Sequence, residues 1–273
     1  MYEDLTKRLM KAVSLEHMPV VIGLSEEPPR GLKRYSSKRI KACQMIDAVR
    51  FEGESFYTLQ EDQQECKNAI LWLGFSEGYE GHLNGEWAAG DYPDHGRALF
   101  KTAGACRRMY VQSPQLVPGS VKVVYYAPLA QADAIPARGD EVVMVICNPR
   151  QALYLARASI YETGGISPGM TGPGTCVSGI VAPYLEGKLY TTLGCFGARQ
   201  FMKVKTEELF VSIPMETLPA LVENLELLLT RRPDLKEMLK EGIGVYHVVT
   251  EKELQVQKAK GAFKKDPTSS SLK

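Results

Sequence analysis

Two cysteine-bounded segments constrain this chain more than any other feature, because the second repeats the layout of the first. The first cassette runs from Cys43 to Cys66 and the second from Cys176 to Cys195. In each, an opening cysteine precedes an apolar segment, a Glu-Gly pair, an aromatic strand-like run and a closing cysteine. Tyr57 and Tyr190 lie equally far from their opening cysteines, so the two registers agree up to that point.

The repeat extends upstream of both cassettes. An apolar strand that ends in a proline and arginine turn precedes each one, VVIGLSEEPPRG before the first and VVMVICNPRQ before the second. The pattern predicts two related halves, about residues 19–74 and 142–197, packed around a pseudo-twofold axis. Such packing would bring all four cassette cysteines to one interface.

Apolar periodicity predicts an α/β fold, with mixed sheets flanked by helices in the two halves. Residues 1–250 are expected to form one compact domain, and residues 257–273 a flexible basic tail. A long loop at 75–93 carries aromatic residues that are more often anchors than ligand covers. The predicted helices cover 2–16, 36–49, 67–74, 95–110, 152–161, 218–230 and 233–242, and the predicted strands cover 19–25, 56–59, 121–126, 141–146 and 207–214.

Charge and hydropathy exclude several classes of function. The chain has 33 basic and 32 acidic residues, a net charge of +1, which gives no reason to expect a general binder of nucleic acid or of anionic membranes. No apolar run approaches the roughly 20 residues that span a bilayer, and the N-terminus lacks the apolar core of a signal peptide. These patterns predict a cytoplasmic protein.

The six cysteines point to metal chemistry. In a reducing compartment, four converging thiolates from Cys43, Cys66, Cys176 and Cys195 can hold a [4Fe–4S] cluster or, as second choice, a zinc ion. Cys106 and Cys147 have no counterparts in the other half and are expected to be buried apolar thiols. An iron–sulfur protein of this kind would serve in redox chemistry, sensing or catalysis, with a redox partner protein.

A second hypothesis starts from the glycine-dense loop 164–175, whose amides could hold a small anionic metabolite without any metal. Cys176 would then be a candidate nucleophile. Whether the protein is an enzyme, and whether it forms a homo-oligomer, stay open. The candidate cofactor-binding residues are Gly172, Gly174, Thr175, Gly194 and Arg199.

Several of these motifs together resemble a known family. They are the KACQ segment at 41–44, a second cysteine before an apolar Leu-Gly at 66–74, the GPGTC loop at 172–176 and the GCFGAR segment at 194–199. The combination resembles the prokaryotic family catalogued as domain of unknown function 169, over about residues 2–240. The resemblance implies an intracellular protein of anaerobic or archaeal type and assigns no chemistry.

Overall fold

A computed structural model describes residues 1–35, 41–63, 66–78, 81–90, 99–135, 139–235 and 255. The α-helices are α1 (Tyr2–Val13), α2 (Ala42–Glu52), α3 (Lys67–Trp72), α4 (Glu86–Ala89), α5 (Ala103–Gln112), α6 (Pro149–Ser159), α7 (Ala182–Glu186), α8 (Phe196–Phe201) and α9 (Leu218–Arg231). The strands are β1 (Val20–Ser25), β2 (Lys33–Arg34), β3 (Phe56–Leu59), β4 (Val123–Pro128), β5 (Val142–Cys147), β6 (Tyr190–Thr192) and β7 (Leu209–Pro214). A π-helix, Val177–Val181, leads into α7, and short 3₁₀ turns are Gln60–Gln63, Leu129–Ala134 and Met215–Thr217.

The strands form one sheet of seven in the order β2-β3-β4-β1-β5-β7-β6. Only the β2–β3 pair is parallel within this sheet, and the other neighbours are antiparallel. The sheet is therefore mixed, and helices flank it, which confirms the predicted α/β class. Within the part of the chain that the structure describes, no helix is long and apolar enough to cross a membrane.

The two strand pairs on either side of the β1–β5 junction share a register. Val20 at the start of β1 faces Pro128 at the end of β4, and Val142 at the start of β5 faces Pro214 at the end of β7. The outer strands follow the same rule. Phe56 of β3 faces the residue two before Pro128, and Tyr190 of β6 faces the residue two before Pro214.

Each face of the sheet has its own core because successive side chains of a strand point to opposite faces. Val21 of β1 belongs to a core with α1, α6 and α9, whereas Val20 and Ile22 belong to a core with α2 and the π-helix. The second core also contains Met45 and Val49 of α2, and all four cassette cysteines pack against it.

One predicted helix begins later than expected. The sequence suggested a start near Asp94, but residues 91–98 lie outside the described residues and α5 begins only at Ala103. The side chain of Thr102 accepts a hydrogen bond from the amide of Ala105, so Thr102 is the N-cap. The predicted helix at 233–242 and the predicted tail at 257–273 lie largely or wholly outside the described residues.

The loop predicted at 75–93 is anchored by its aromatic residues. Trp87, on the short helix α4, is buried with Trp72, Cys106 and Tyr110. His82 is fully buried and makes an edge-to-face contact with the Trp87 ring at 4.8 Å. The anchoring prediction is confirmed for these residues, whereas Tyr79 and Tyr92 lie outside the described residues.

The buried imidazole of His82 makes the stability of this loop dependent on pH. Burial, aided by the charge of Lys67, lowers the pKa of His82 from 6.5 to about 4. Below pH 6.5 the imidazole of His82 therefore binds a proton in the unfolded chain, whereas in the folded protein it stays neutral until the pH approaches 4. We expect this residue to remove about 3 kcal/mol from the free energy of unfolding as the pH falls from 6.5 to 4. Urea denaturation of H82Q at several pH values should give a flatter profile than the wild type, and an unchanged slope would contradict the assignment.

Candidate metal centre

The four cassette cysteines all lie where a helix begins. Cys43 is the second residue of α2, which begins at Ala42, later than the predicted start at 36, and Cys66 immediately precedes α3. Cys176 immediately precedes the π-helix and Cys195 immediately precedes α8. Four separate chain segments therefore present a thiol at or next to the N-terminus of a helix.

The four thiols lie close enough to influence one another's ionisation. Burial raises the pKa of the Cys43 thiol to about 12, and the thiols of Cys66 and Cys195 contribute to this increase. Burial and the other three thiols raise the pKa of Cys176 well above its ordinary value. Because Cys195 also raises the pKa of Cys66, all six pairs of the four thiols interact. The four thiols are therefore near one another, whereas their placement at an interface between two related halves stays a prediction.

Backbone amides point at these sulfurs. The backbone amides of Ala42 and Ala69 lower the pKa of the Cys66 thiol, although burial dominates and the net change is upward. The amides of Cys43 and Gln44 act in the same direction on the pKa of the Cys43 thiol, again against the larger effect of burial. The amide of Ala198 donates to the sulfur of Cys195 at 3.4 Å. Such donors stabilise negative charge on sulfur, so they favour the thiolate form of these cysteines.

The glycine-rich loop 164–175 leads into Cys176, and its last residue is hydrogen-bonded to Cys195. The amide of Cys195 donates to Oγ1 of Thr175 at 2.9 Å, and Thr175 is buried. A Cβ on Gly174 would lie 3.8 Å from the indole of Trp72, so the loop passes close to α3. Thr175 therefore positions Cys176 and Cys195 relative to each other, and a role of Gly172, Gly174 and Thr175 in holding a ligand stays a prediction.

Gly194 can hardly be replaced by another residue. Its φ of +81° lies in the left-handed region that favours glycine, and a Cβ there would lie 2.5 Å from the ring of Phe210. Phe210 is fully buried in the core beneath the site. The glycine therefore allows the segment before Cys195 to turn directly over this ring.

Arg199 stabilises the chain around Cys195. Its guanidinium donates to the carbonyl oxygens of Leu193, Lys205 and Glu208 at 2.8, 3.2 and 2.7 Å. These bonds tie α8 to the segment before it and to the segment that leads into β7. The predicted role of Arg199 in binding an anion is a prediction that these contacts neither require nor test.

Two residues that the sequence did not single out join α2 to the segment that follows α8. Oδ2 of Asp47 accepts a hydrogen bond from the amide of Lys203 at 2.6 Å, and Oδ1 pairs with Nη1 of Arg50 at 3.0 Å. Asp47 and Arg50 follow Cys43 by about one and two helical turns, so the three side chains share one face of α2. That spacing was the signal available in the sequence. Near the other end of α2, the sulfur of Cys43 lies 4.0 Å from the carbonyl oxygen of Gly197.

The two remaining cysteines lie elsewhere. Cys106 is buried beside Trp72 and Tyr110, and Cys147 is buried in the core on the opposite face of the sheet. Both are packed as the apolar thiols that the sequence predicted. None of the six cysteines forms a disulfide bond.

The four thiols share one region but do not form a site for a single metal ion. Among the described residues, no group of three or more His, Cys, Asp or Glu side chains is arranged to hold a metal ion. The four thiols nevertheless pack against the same core and influence one another's pKa values.

Comparisons with known proteins identify relatives of this chain. A model of the family DUF169, described as "Uncharacterised ArCR", matches residues 8–224. "Uncharacterized protein MJ0308" of Methanocaldococcus jannaschii is 30% identical over 226 residues, which cover 81% of this chain and 91% of the relative. No solved structure gives a significant match. Neither description states an activity, so the chemistry has to be argued from the residues.

Proposed function

We propose a function on the premise that this chain belongs to the DUF169 family of uncharacterised proteins. The protein binds a [4Fe–4S] cluster through Cys43, Cys66, Cys176 and Cys195, and it uses the cluster in redox chemistry in the cytoplasm. The observation that carries this proposal is the mutual interaction of four free thiols on one core.

The ionisation of the four thiols supports the binding of a positively charged metal group. Burial is the main reason that the pKa values of Cys43, Cys66 and Cys176 are raised, and repulsion among the thiolates adds to it. Coordination to metal removes these protons and replaces the repulsion with bonds. The amides that donate to the sulfurs then stabilise the ligated thiolates.

We propose a cluster rather than a single zinc ion. Zinc binds sulfur at about 2.3 Å, so a zinc site gathers its four ligands tightly around one atom. The described residues contain no such tight group. A [4Fe–4S] cluster accepts one thiolate on each of four iron atoms, so its ligands lie farther apart than those of a zinc ion.

The strand registers support the finer proposal of two related halves. In the proposed pseudo-twofold arrangement, β1, β3 and β4 correspond to β5, β6 and β7. The equal registers of β1 with β4 and of β5 with β7 are what such a duplication would produce. Each half would then contribute one opening and one closing cysteine, and the axis would pass between β1 and β5.

Anaerobic purification followed by analysis tests the proposal. We expect a brown protein with broad visible absorption that contains about four iron and four sulfide ions per chain. Reduction with dithionite should bleach the colour and give an electron paramagnetic resonance signal. A colourless protein that lacks iron after anaerobic purification, and that takes up none from iron and sulfide under reducing conditions, would contradict the cluster. Zinc at one equivalent would favour the second-choice metal.

A further inference from the structure

Two large apolar side chains are exposed on either side of Cys195. Leu193 is 56% exposed and Phe196 is 77% exposed, whereas most large apolar residues of the chain are buried. Both belong to residues 193–197, here called the 193–197 rim, which contains the proposed ligand Cys195. Exposed apolar groups next to a functional site often mark a surface that another molecule covers.

The chain segments that carry Cys195 and Cys43 have an excess of basic residues in the sequence, although Lys205 is paired with Glu16 at 2.6 Å. Residues 188–206 contain four basic side chains and no acidic one, and residues 28–46, which contain Cys43, have six basic side chains and no acidic one. The whole chain carries only one net positive charge, so the remainder is acidic. Two of these cations lie over aromatic rings of the cysteine-bearing helices: Lys41 is 4.7 Å from the ring centroid of Phe201, and Lys203 is 4.9 Å from that of Phe51.

This combination identifies the kind of partner. An apolar centre with a charged surround is the usual layout of a protein interface, and electron-transfer encounters use small ones. Electrostatic complementarity requires an acidic surface opposite the lysines. A second copy of this chain is disfavoured because a twofold contact would bring the same basic residues face to face.

We propose that the 193–197 rim is the docking surface for a small acidic electron-carrier protein. The inference rests on the proposed cluster, because docking at Cys195 would bring the carrier's redox centre close to one of the ligands. One electron would pass between the two redox centres, and no atoms would be exchanged.

The test is a binding titration by calorimetry with a strongly acidic plant-type [2Fe–2S] ferredoxin as probe. We expect salt-sensitive binding to the wild type and about tenfold weaker binding to F196E, which loses apolar contact and adds a repelling charge. The matched control is L153E. Leu153 is 66% exposed on α6, which packs against the opposite face of the sheet. This variant should bind within about twofold of the wild type.

The outcomes separate the interface from the cluster. Equal losses in F196E and L153E, no binding by the wild type, or tighter binding to anionic vesicles or duplex DNA would overturn the docking surface. Self-association of the wild type that F196E abolishes would also overturn it. A protein that contains iron and sulfide but does not bind the carrier keeps its proposed function and loses the interface. A protein without iron that binds the carrier through Phe196 keeps the interface and loses the cluster.

Discussion

Replacing Cys176 with serine is expected to remove nearly all cluster iron from anaerobically purified protein. Cys176 interacts with each of the other three thiols, and burial together with these neighbours raises its pKa well above the ordinary value. A serine hydroxyl is a poor ligand for iron, and loss of one ligand exposes the cluster to water. We expect at least about a tenfold drop in iron per chain, in line with the largest losses seen when metal sites are disturbed. Iron analysis and visible absorption measure it.

The two unpaired cysteines supply matched controls for this experiment. C106S and C147S remove buried thiols that lie outside the four-thiol site. Both variants should keep the iron content and the spectrum of the wild type, although each can lose some thermal stability because a buried hydroxyl replaces an apolar thiol. Loss of colour in C106S or C147S with retention in C176S would show that the wrong ligands were assigned.

Replacing Gly194 with alanine is expected to produce the largest loss of stability among the glycine positions at the site. The substitution places a side chain in the left-handed region, at a cost of roughly 1–2 kcal/mol. It also forces the new methyl group against the buried ring of Phe210, and overpacking of this kind costs about 1–3 kcal/mol. The free energy of unfolding should therefore fall by about 3 kcal/mol, as measured by urea denaturation.

Gly53 separates the two contributions to this loss. It ends α2 with a φ of +70°, but a Cβ there would have no heavy atom within 4 Å. G53A should therefore lose only the conformational part, about 1 kcal/mol. A G194A protein no less stable than G53A would show that Phe210 moves aside without cost. Iron content should also fall more in G194A, because Gly194 adjoins Cys195.

Local patterns predicted much of the fold and of the site. The motifs KACQ, GPGTC and GCFGAR indicated the family, and its membership is confirmed. The matching cassettes singled out Cys43, Cys66, Cys176 and Cys195, which pack against one core, whereas their role as cluster ligands stays a prediction. The mixed sheet followed from alternating strands and helices. In the sheet, Phe56 and Tyr190 face the residues two before Pro128 and Pro214, whereas the cassettes align Tyr57 with Tyr190. The relation between the two halves stays a prediction.

Other features depend on contacts that no local pattern reveals. The carboxylate of Asp47 could be placed on α2, but its bond to the amide of Lys203 depends on how two distant segments pack. The π-helix Val177–Val181 also depends on how distant segments pack. Its Gly179 would meet the side chain of Met144 at 2.8 Å if it carried a Cβ, and that close approach to β5 is a tertiary constraint. The role of Arg199 in binding three carbonyl groups was hidden for the same reason.

The order of the strands in the sheet has a consequence for how the protein is made on the ribosome. β1 and β4 can pair once the chain has emerged past Pro128, since they are direct neighbours in the sheet. Of the four proposed ligands, only Cys43 and Cys66 are present at that stage. Cys195 comes into position when β7, which follows it in the chain, has paired with β5. If the four cysteines hold the proposed cluster, iron and sulfide can be delivered only after β7 has been translated, and until then Cys43 and Cys66 would have no cluster to protect them from oxidation.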